Sequence, residues 1–577
     1  MTSPRASVLC LGFTLAAVLA SGCGAAVPTP AADALSFTGP GWFEDVTDQV
    51  GLDFVHDAGP LDGSYFMPQI MGSGAALFDF DGDGRLDLYL LQNGGPKSSS
   101  TNRLYKQMPD GTFKDVSKGS GLDVAGWNMG VAVGDVNNDG RPDVLVTQYG
   151  GIKLFLNNGD GTFTDVTRES GLDNPAWGTS AAFVDYDRDG WLDLVVVNYV
   201  NYDPSLPCIS LNGRQDYCRP SRFSYVSPKL FHNRGPKAAD GKGRFEDVTL
   251  ASGLGRIPGP GLGVLCADFD GDGWPDIFIA NDQQPNRLWI NKHDGTFREE
   301  AVRRGVAYNG MGQTQAGMGA ALGDVDGDGL EDLFVTHLDL ETNTLWKQGP
   351  RGLFRDGTAE SGLGLPRRRA TGWGTALADF DQDGALDAVV VNGAIYRSSS
   401  DGAAEGNAFW PHYAQRNQLF ANDGAGRFRD VSFDNLALCG RPGVHRGLAV
   451  GDVDGDGALD LLVTSVAGPA RLYRNVAPNR GHWLLLRVVD PALRRDAYGA
   501  EVTVRAEGRR WLRRVNPGQS YLCSSDPRVH FGLGQAGQVD GIDILWPDGA
   551  RETFPGVKAD QALVLRKGEG RAAGAQP

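Results

Sequence analysis

The sequence predicts an all-β protein: a seven-bladed β-propeller with DxDxDGxxD calcium loops, closed by an N-terminal strand and followed by a small β-sandwich or barrel domain. Three observations carry this reading. An acidic nine-residue loop recurs seven times, each copy is flanked by short β-like runs, and the strand pattern changes character near residue 478.

The loops come first. DFDGDGRLD supplies Asp79, Asp81, Asp83, Arg85 and Asp87 at positions 1, 3, 5, 7 and 9, and DVNNDGRPD supplies Asp135, Asn137, Asp139, Arg141 and Asp143. The third and fourth copies give Asp185, Asp187, Asp189, Trp191 and Asp193, then Asp268, Asp270, Asp272, Trp274 and Asp276. The fifth gives Asp324, Asp326, Asp328, Leu330 and Asp332. The sixth gives Asp379, Asp381, Asp383, Ala385 and Asp387, and the seventh Asp452, Asp454, Asp456, Ala458 and Asp460. A hard cation the size of Ca²⁺ takes about 6–8 oxygens. Positions 1, 3 and 5 can turn side-chain oxygens inward, the Gly at position 6 permits the bend, position 7 offers its carbonyl, and Asp at 9 closes the shell. Mg²⁺ wants fewer protein ligands and stricter geometry, and thiolate or imidazole metals lack their ligands. An EF-hand would need Glu at position 12, where the first loop has Leu90. An unmetallated Asp/Gly turn would leave converging carboxylates without a counter-charge. The expected cofactor is therefore Ca²⁺, up to seven ions.

The blades follow from the flanks. AALFDF precedes the first loop and LDLYLL follows it, which makes the loop a turn between two buried strands. A third strand follows, as in NRLYKQ and NRLWIN, and then a Gly-containing turn leads to a fourth at Phe113, Phe163, Phe245, Phe297, Phe354 and Phe428. Four strands repeated seven times describe a seven-bladed propeller. One Phe motif, at Phe43, precedes the first loop, and none follows the last. Residues 42–47 are thus expected to supply the fourth strand of the last blade and remove the array's open edges. Glycine is abundant, 81 of 577 residues. Six blades carry Gly five residues before the first Asp (Gly74, Gly130, Gly263, Gly319, Gly374, Gly447), with Ser180 the exception. The crowded propeller axis explains a small residue there.

The N-terminus reads as an export signal: Arg5, an apolar run from Val8 to Ala20, then Leu19-Ala20-Ser21-Gly22-Cys23. The run of about 13 residues suits a signal-peptide core and is too short to span a bilayer. Small residues before Cys23 resemble a bacterial lipobox, with Cys23 as the lipidated residue; Ala20 stands where Leu is more usual, and cleavage after Ala20 is the rival reading. Gly24 after the Cys favours the outer membrane by resemblance to sorting signals. The expected segments are a signal peptide (1–22), an Ala/Pro-rich tether (23–41), the propeller (42–476), the C-terminal β domain (478–567) and a disordered tail (568–577). Export permits disulfides. Cys208 and Cys218 share a polar loop and are expected to pair, while Cys266, Cys439 and Cys523 look like small buried residues. The chain is expected at the outer membrane or cell surface as a lipoprotein, otherwise secreted or periplasmic, with membrane contact only through the lipid.

The loops, the strand order and the Phe motifs resemble FG-GAP repeat propellers, the fold of integrin α-chain heads. That resemblance implies that the DxDxDGxxD loops between strands 1 and 2 are metal sites. From His482 on, HWLLLRVV, AEVTVRAEG, DPRVHFGLG, IDILWPDG and QALVLR resemble the ASPIC/UnbV domain. The order of the two is similar to that of the cartilage acidic protein family, which implies architecture more than activity.

In such a blade, turns 1–2 and 3–4 share one face and the longer connections share the other. Long loops on a rigid scaffold usually carry binding. Trp127, Trp177, Tyr202, Tyr217, Arg219, Tyr225, Phe409, Trp410 and His412 are therefore candidate ligand contacts on the face opposite the calcium, with packing of the long loops as the alternative. No HExxH, GxSxG or P-loop occurs, and the Gly-rich strand starts lack a full dinucleotide fingerprint. The expected function is a non-catalytic surface or adhesion scaffold for a protein or glycan; an extracellular polysaccharide-directed enzyme using the long-loop face is the alternative. The net charge of −17 disfavours non-specific nucleic-acid binding, and no nucleic-acid partner is expected. Residues 478–577 hold 15 Lys+Arg and 11 Asp+Glu, a net of +4, so the rest carries −17 − 4 = −21. Most of that acidity is the loop inventory.

Overall fold

The structure is a computed structural model that describes residues 41–209, 213–235, 245–364, 369–397 and 409–572. The expected signal peptide, Cys23 and the tether lie outside the described residues. Among the described residues, no helix is long and apolar enough to cross a membrane.

Seven four-stranded antiparallel sheets form the propeller. The first blade runs Ala75–Phe78, Asp87–Leu90, Arg103–Gln107 and Phe113–Asp115. The innermost strand of each blade packs against that of the next, and the seventh returns to the first. The two inner strands of each blade are buried along nearly their whole length because neighbouring blades cover them on both sides. The sequence shows it in the second strands as near-continuous apolar runs such as LDLVVVN rather than alternation. The seventh blade consists of His445–Gly451, Asp460–Ser465 and Arg471–Asn475, completed by Phe43–Asp45 from the N-terminus. The register is Phe43 opposite Asn475 and Asp45 opposite Tyr473, as the repeat order predicts. Phe43 also packs edge-on against Phe380 of the sixth blade, with ring centroids 5.4 Å apart. Deleting residues 42–47 should therefore lower the melting temperature well beyond what trimming a free terminus does. Equal melting curves for the truncated and full chains would contradict the closure.

The expected sandwich or barrel is a two-sheet sandwich. His482–Asp490 pairs with Val529–Gly534 and, in parallel, with Gln561–Arg566. Glu501–Ala506 sits between Arg509–Arg514 and Gly541–Leu545 in the second sheet. Leu484, Leu486, Phe531, Val502, Ile542 and Trp546 form the core between them. Arg571–Ala572, expected within a disordered tail, instead pair with Arg551–Pro555.

The connection between Arg509–Arg514 and Val529–Gly534 has no counterpart in the sequence reading. Residues 516–526 run into the propeller axis and bond to the innermost region of every blade. Ser524 exchanges backbone bonds with Ala75 and Leu77, Leu522 accepts from Val131, and Ser520 pairs with Ala320. Ser180 Oγ accepts from Leu522 N, Asn516 donates to Cys266 O, Ser520 Oγ accepts from Thr375 N, and Ser525 Oγ from Val450 N. The ring of small residues fits this plug. A Cβ on Gly74 would lie 2.5 Å from Leu522 O, and one on Gly447 2.6 Å from Cys523 Sγ. Ser180, the exception to the glycine rule, uses its hydroxyl to hold the plug.

Candidate metal centres and the arginine crown

Each loop is built the same way. The Gly at position 6 is left-handed in all seven, at φ 85–95°, which places its N–H on the position-1 carboxylate at 2.7–3.1 Å. The position-7 N–H donates to the position-5 carboxylate at 2.8–3.1 Å in every copy. Position 4 is also left-handed throughout. Glycine fills it four times, but Asn138, Arg188 and Gln382 hold φ 55–59° there.

The position-9 aspartates are buried and serve as braces. In each, Oδ2 accepts from the position-2 N–H at 2.9–3.2 Å, and Oδ1 accepts from a strand-3 N–H at 2.8–3.0 Å. The strand-3 residue that donates is Gln107, Asn157, Asn233, Asn291, Gln348, Asn422 or Asn475. Six of them send their side-chain amide to the position-2 carbonyl of the neighbouring blade at 2.7–2.9 Å, for example Asn157 to Phe80 and Gln107 to Val453. Gln348 stays within its own blade. There Arg304 bridges instead, bonding Glu300, Asp270 and the Gly352 carbonyl. The sequence reading missed these latches; the signal was the Asn that ends strand 3 in NRLWIN, NQLFAN and KLFLNN. Asn475→Ala would leave two buried carbonyls without their donor, at a cost of about 1–3 kcal/mol each way of counting. Urea denaturation should show this as a lower midpoint with an unchanged slope.

The residues suit a hard cation. Carboxylate oxygens of Asp79, Asp81 and Asp87, of Asp185, Asp187 and Asp189, of Asp268, Asp270 and Asp276, and of Asp324, Asp326 and Asp328 lie within 4.8 Å of one another in their own loops. Asp185 Oδ1 and Asp326 Oδ1 are buried with no hydrogen-bond partner among the described residues. Burial, aided by neighbouring aspartate charges, pushes Asp87 up to about 7 and Asp193, Asp332 and Asp379 up to about 8. Asp143, Asp276, Asp387 and Asp460 are held well above the carboxylate range by the same causes. A bound cation would reverse that penalty. Position 7 would offer a cation only its carbonyl, and its changing side chain (Arg, Trp, Leu, Ala) serves elsewhere: Trp274, for example, stacks on His293 and under Arg188.

The C-terminal sandwich lies over these loops with an arginine at each junction. Arg495 bonds Asn138 Oδ1 and Gly190 O and sits 3.8 Å from Asp185. Arg514 pairs with Glu331 and Glu501 at 2.7 Å, and its charge partly offsets the burial that holds Asp268 above the usual carboxylate range. Buried Arg513 acts on both Asp324 and Asp379. Arg528 bonds Asp452 O and acts on Asp452 and Asp79. Every position-1 aspartate thus has a sandwich guanidinium as an electrostatic neighbour. Trp511 and His530 add bonds to the Gly384 and Gly457 carbonyls, both at 2.9 Å.

On the opposite face the predicted contact residues gather, but most are not a surface. Trp177, Tyr202, Tyr217 and Trp410 are buried in one cluster with Met71, Trp373 and the plug's Tyr521 and Leu522. Trp127, Tyr225 and Phe409 are half-buried against it. Rings meet edge-on or tilted, as Trp177–Tyr202 at 5.6 Å and Tyr65–Tyr217 at 5.4 Å. The long loops use these aromatics to cover the axis, which corrects their reading as ligand contacts. Arg219 and His412 are exposed. Cys208 and Cys218 form a disulfide; Cys266, Cys439 and Cys523 are buried thiols. Arg446 is wholly buried among backbone carbonyls, 4.0 Å over the Trp373 ring.

The family models agree with this architecture. The FG-GAP-like repeat family matches residues 79–146, 135–196, 268–335 and 324–390, and the ASPIC and UnbV family matches 491–572. Cartilage acidic protein 1 of Homo sapiens is 30% identical over 364 residues, 60% of this chain and 50% of that protein. The chain spans about half the length of the curated relatives it matches. Among solved structures, an Agrocybe aegerita lectin described as recognising non-reducing terminal N-acetylglucosamine aligns with TM-score 0.37 and 16% identity, over 63% of this chain and 82% of that one. A Bacillus licheniformis rhamnogalacturonan lyase aligns with TM-score 0.36 and 14% identity, over 75% and 76%. The chain is an FG-GAP-repeat β-propeller carrying an ASPIC/UnbV domain, and it is similar in sequence to the cartilage acidic proteins.

Proposed function

We propose that this chain is an exported, calcium-stabilised scaffold that presents a propeller face to a protein or glycan partner. In this reading residues 1–22 direct export, Cys23 carries the lipid that holds the chain at the outer membrane or cell surface, and 42–476 and 478–567 act as propeller and cap. The observation that carries it is the sevenfold loop: carboxylate oxygens converge in copy after copy, with His232 beside those of the third, and two buried carboxylate oxygens there have no hydrogen-bond partner among the described residues. Positions 1, 3, 5 and 9 would hold Ca²⁺, with the position-7 carbonyl. Bound calcium would neutralise the carboxylates and fix the strand 1–2 turns.

Because the cap covers the loop face, the partner surface falls on the other. Exposed apolar side chains stand on its long connections: Ile209 (65% exposed), Met311 (80%) and Leu340 (83%), with Arg219 and His412 nearby in the same set of loops. We read the protein as non-catalytic. Calcium titration of the metal-depleted chain should reveal several ions per molecule, up to seven. A chain that takes up none would overturn the reading. A glycan and peptide screen with product analysis tests the scaffold role: binding without turnover, weakened by Met311→Asp or Leu340→Asp, is the expected result, and product formation is the contrary one.

A further inference from the structure

The cap does not seal the loop face evenly. Over the first two loops it stands away and leaves a cleft of about 400 Å³, between the loops and the sheet that holds His482–Asp490 and Gln561–Arg566. Ligand sites of this size, roughly 300–1,000 Å³, favour such junctions. One wall is loop backbone, from Gly82, Gly84 and Gly140. The other is a small aliphatic patch of Ala562 and Val564, with Val564 42% exposed, over the buried Leu485. Ala562 and Val564 lie side by side with Leu485 and Arg487 in the parallel pairing, so the patch and a guanidinium share one sheet face.

The polar groups in this cleft are unevenly satisfied. Its carboxylates already have donors. Asp79 accepts from Gly82, Asp83 and Gly84, and Asp135 from Asp139 and Gly140. Asp81 pairs with Lys106, Asp496 with Arg487, and Asp526 with Arg528. The arginines keep donors in reserve. Each guanidinium has five N–H groups. Arg487 commits two of its nitrogens to Asp496, and Arg494 makes no ion pair among the described residues. The unspent capacity is therefore that of a donor set, next to an aliphatic wall.

We propose that this cleft binds a small organic carboxylate, its anionic head on Arg487 and Arg494 and its aliphatic body on Ala562 and Val564. A guanidinium fork matches a carboxylate in two parallel bonds. The volume exceeds what a bare inorganic anion needs, and the wall gives the aliphatic body a surface to cover.

The test is isothermal titration of the full exported chain, at one fixed calcium concentration, with hexanoate and with its uncharged amide. Hexanoate should bind saturably at one site, and hexanamide at least tenfold more weakly. Arg494→Gln should weaken hexanoate at least tenfold, as should Val564→Asp, which sets a like charge on the wall. Both positions are exposed, so the melting temperature should not move. Absence of saturable hexanoate binding, equal affinity for the amide, or undiminished binding in Val564→Asp with an unchanged melt would each overturn the proposal.

Discussion

Chelation with EDTA is expected to lower the melting temperature by about 10 °C and to expose the propeller to protease. The size follows from mass action. A site of affinity ~10⁻⁴–10⁻³ M, in about 2 mM calcium, stabilises the folded state by roughly 0.6–1.8 kcal/mol, so seven sites contribute roughly 5–13 kcal/mol. A folded unit of this length loses about 1 kcal/mol of stability per degree near its midpoint, which converts the sum to that shift. The structural reason lies in the buried acids. Asp193, Asp332 and Asp379 are pushed up to about 8 by burial and by neighbouring carboxylates. Without the ion, only side-chain cations such as Lys106, Lys347 and the cap arginines offset the loop charges, and the most buried acids are left to hold protons. Restoring calcium should restore the melt, and magnesium at equal concentration should do so less well because it demands stricter octahedral geometry. An unchanged melt in EDTA would mean that the loops are empty or energetically minor.

Much of this was legible from the chain alone because it is periodic. Seven nonapeptides in register locate the strand 1–2 turns, and the lone Phe43 motif ahead of the first loop locates the closure, now seen as Phe43 opposite Asn475. Glycine before six of the seven loops, and Ser180 before the other, marks the axis. What the sequence could not show is what fills that axis. Residues 516–526 carry no repeat and no strand pattern, and read locally as an Asn/Pro/Gly/Ser loop. Their role depends on contacts more than a hundred residues away, such as Ser520 with Ala320. The aromatics of the long loops were misread for a related reason. Composition marks Trp177, Tyr217 and Trp410 as contact-forming, but only the fold says that their contacts are with one another and with Tyr521. The basic balance of residues 478–577 did hold a clue. A +4 segment behind a −21 one is what a cap needs to lie on acidic loops, and Arg495, Arg513, Arg514 and Arg528 are where that charge goes.

Ending the chain after residue 477 is expected to destabilise the propeller itself, rather than remove an independent appendage. The plug supplies hydrogen bonds to all seven blades, and many of the atoms it meets are backbone groups of the innermost strands. Each such group left buried and unpaired costs about 1–3 kcal/mol unless water enters. The truncation also bares the position-1 aspartates, which lose their guanidinium neighbours at once. Tyr521→Ala is the finer test. Its side chain is fully buried, its ring lies 4.9 Å from that of Trp373, and its hydroxyl bonds Met71 O at 3.1 Å. Truncating a buried aromatic of this kind costs about 3–5 kcal/mol. If cap and propeller are one cooperative unit, this single change should lower one shared melting transition. If it moved only a minor cap transition while the propeller melted as before, the plug would be an ornament of the fold. The same holds if residues 42–477 alone melted like the whole chain. The hydrogen bonds from all seven innermost strands argue that it is instead the axle around which the blades close.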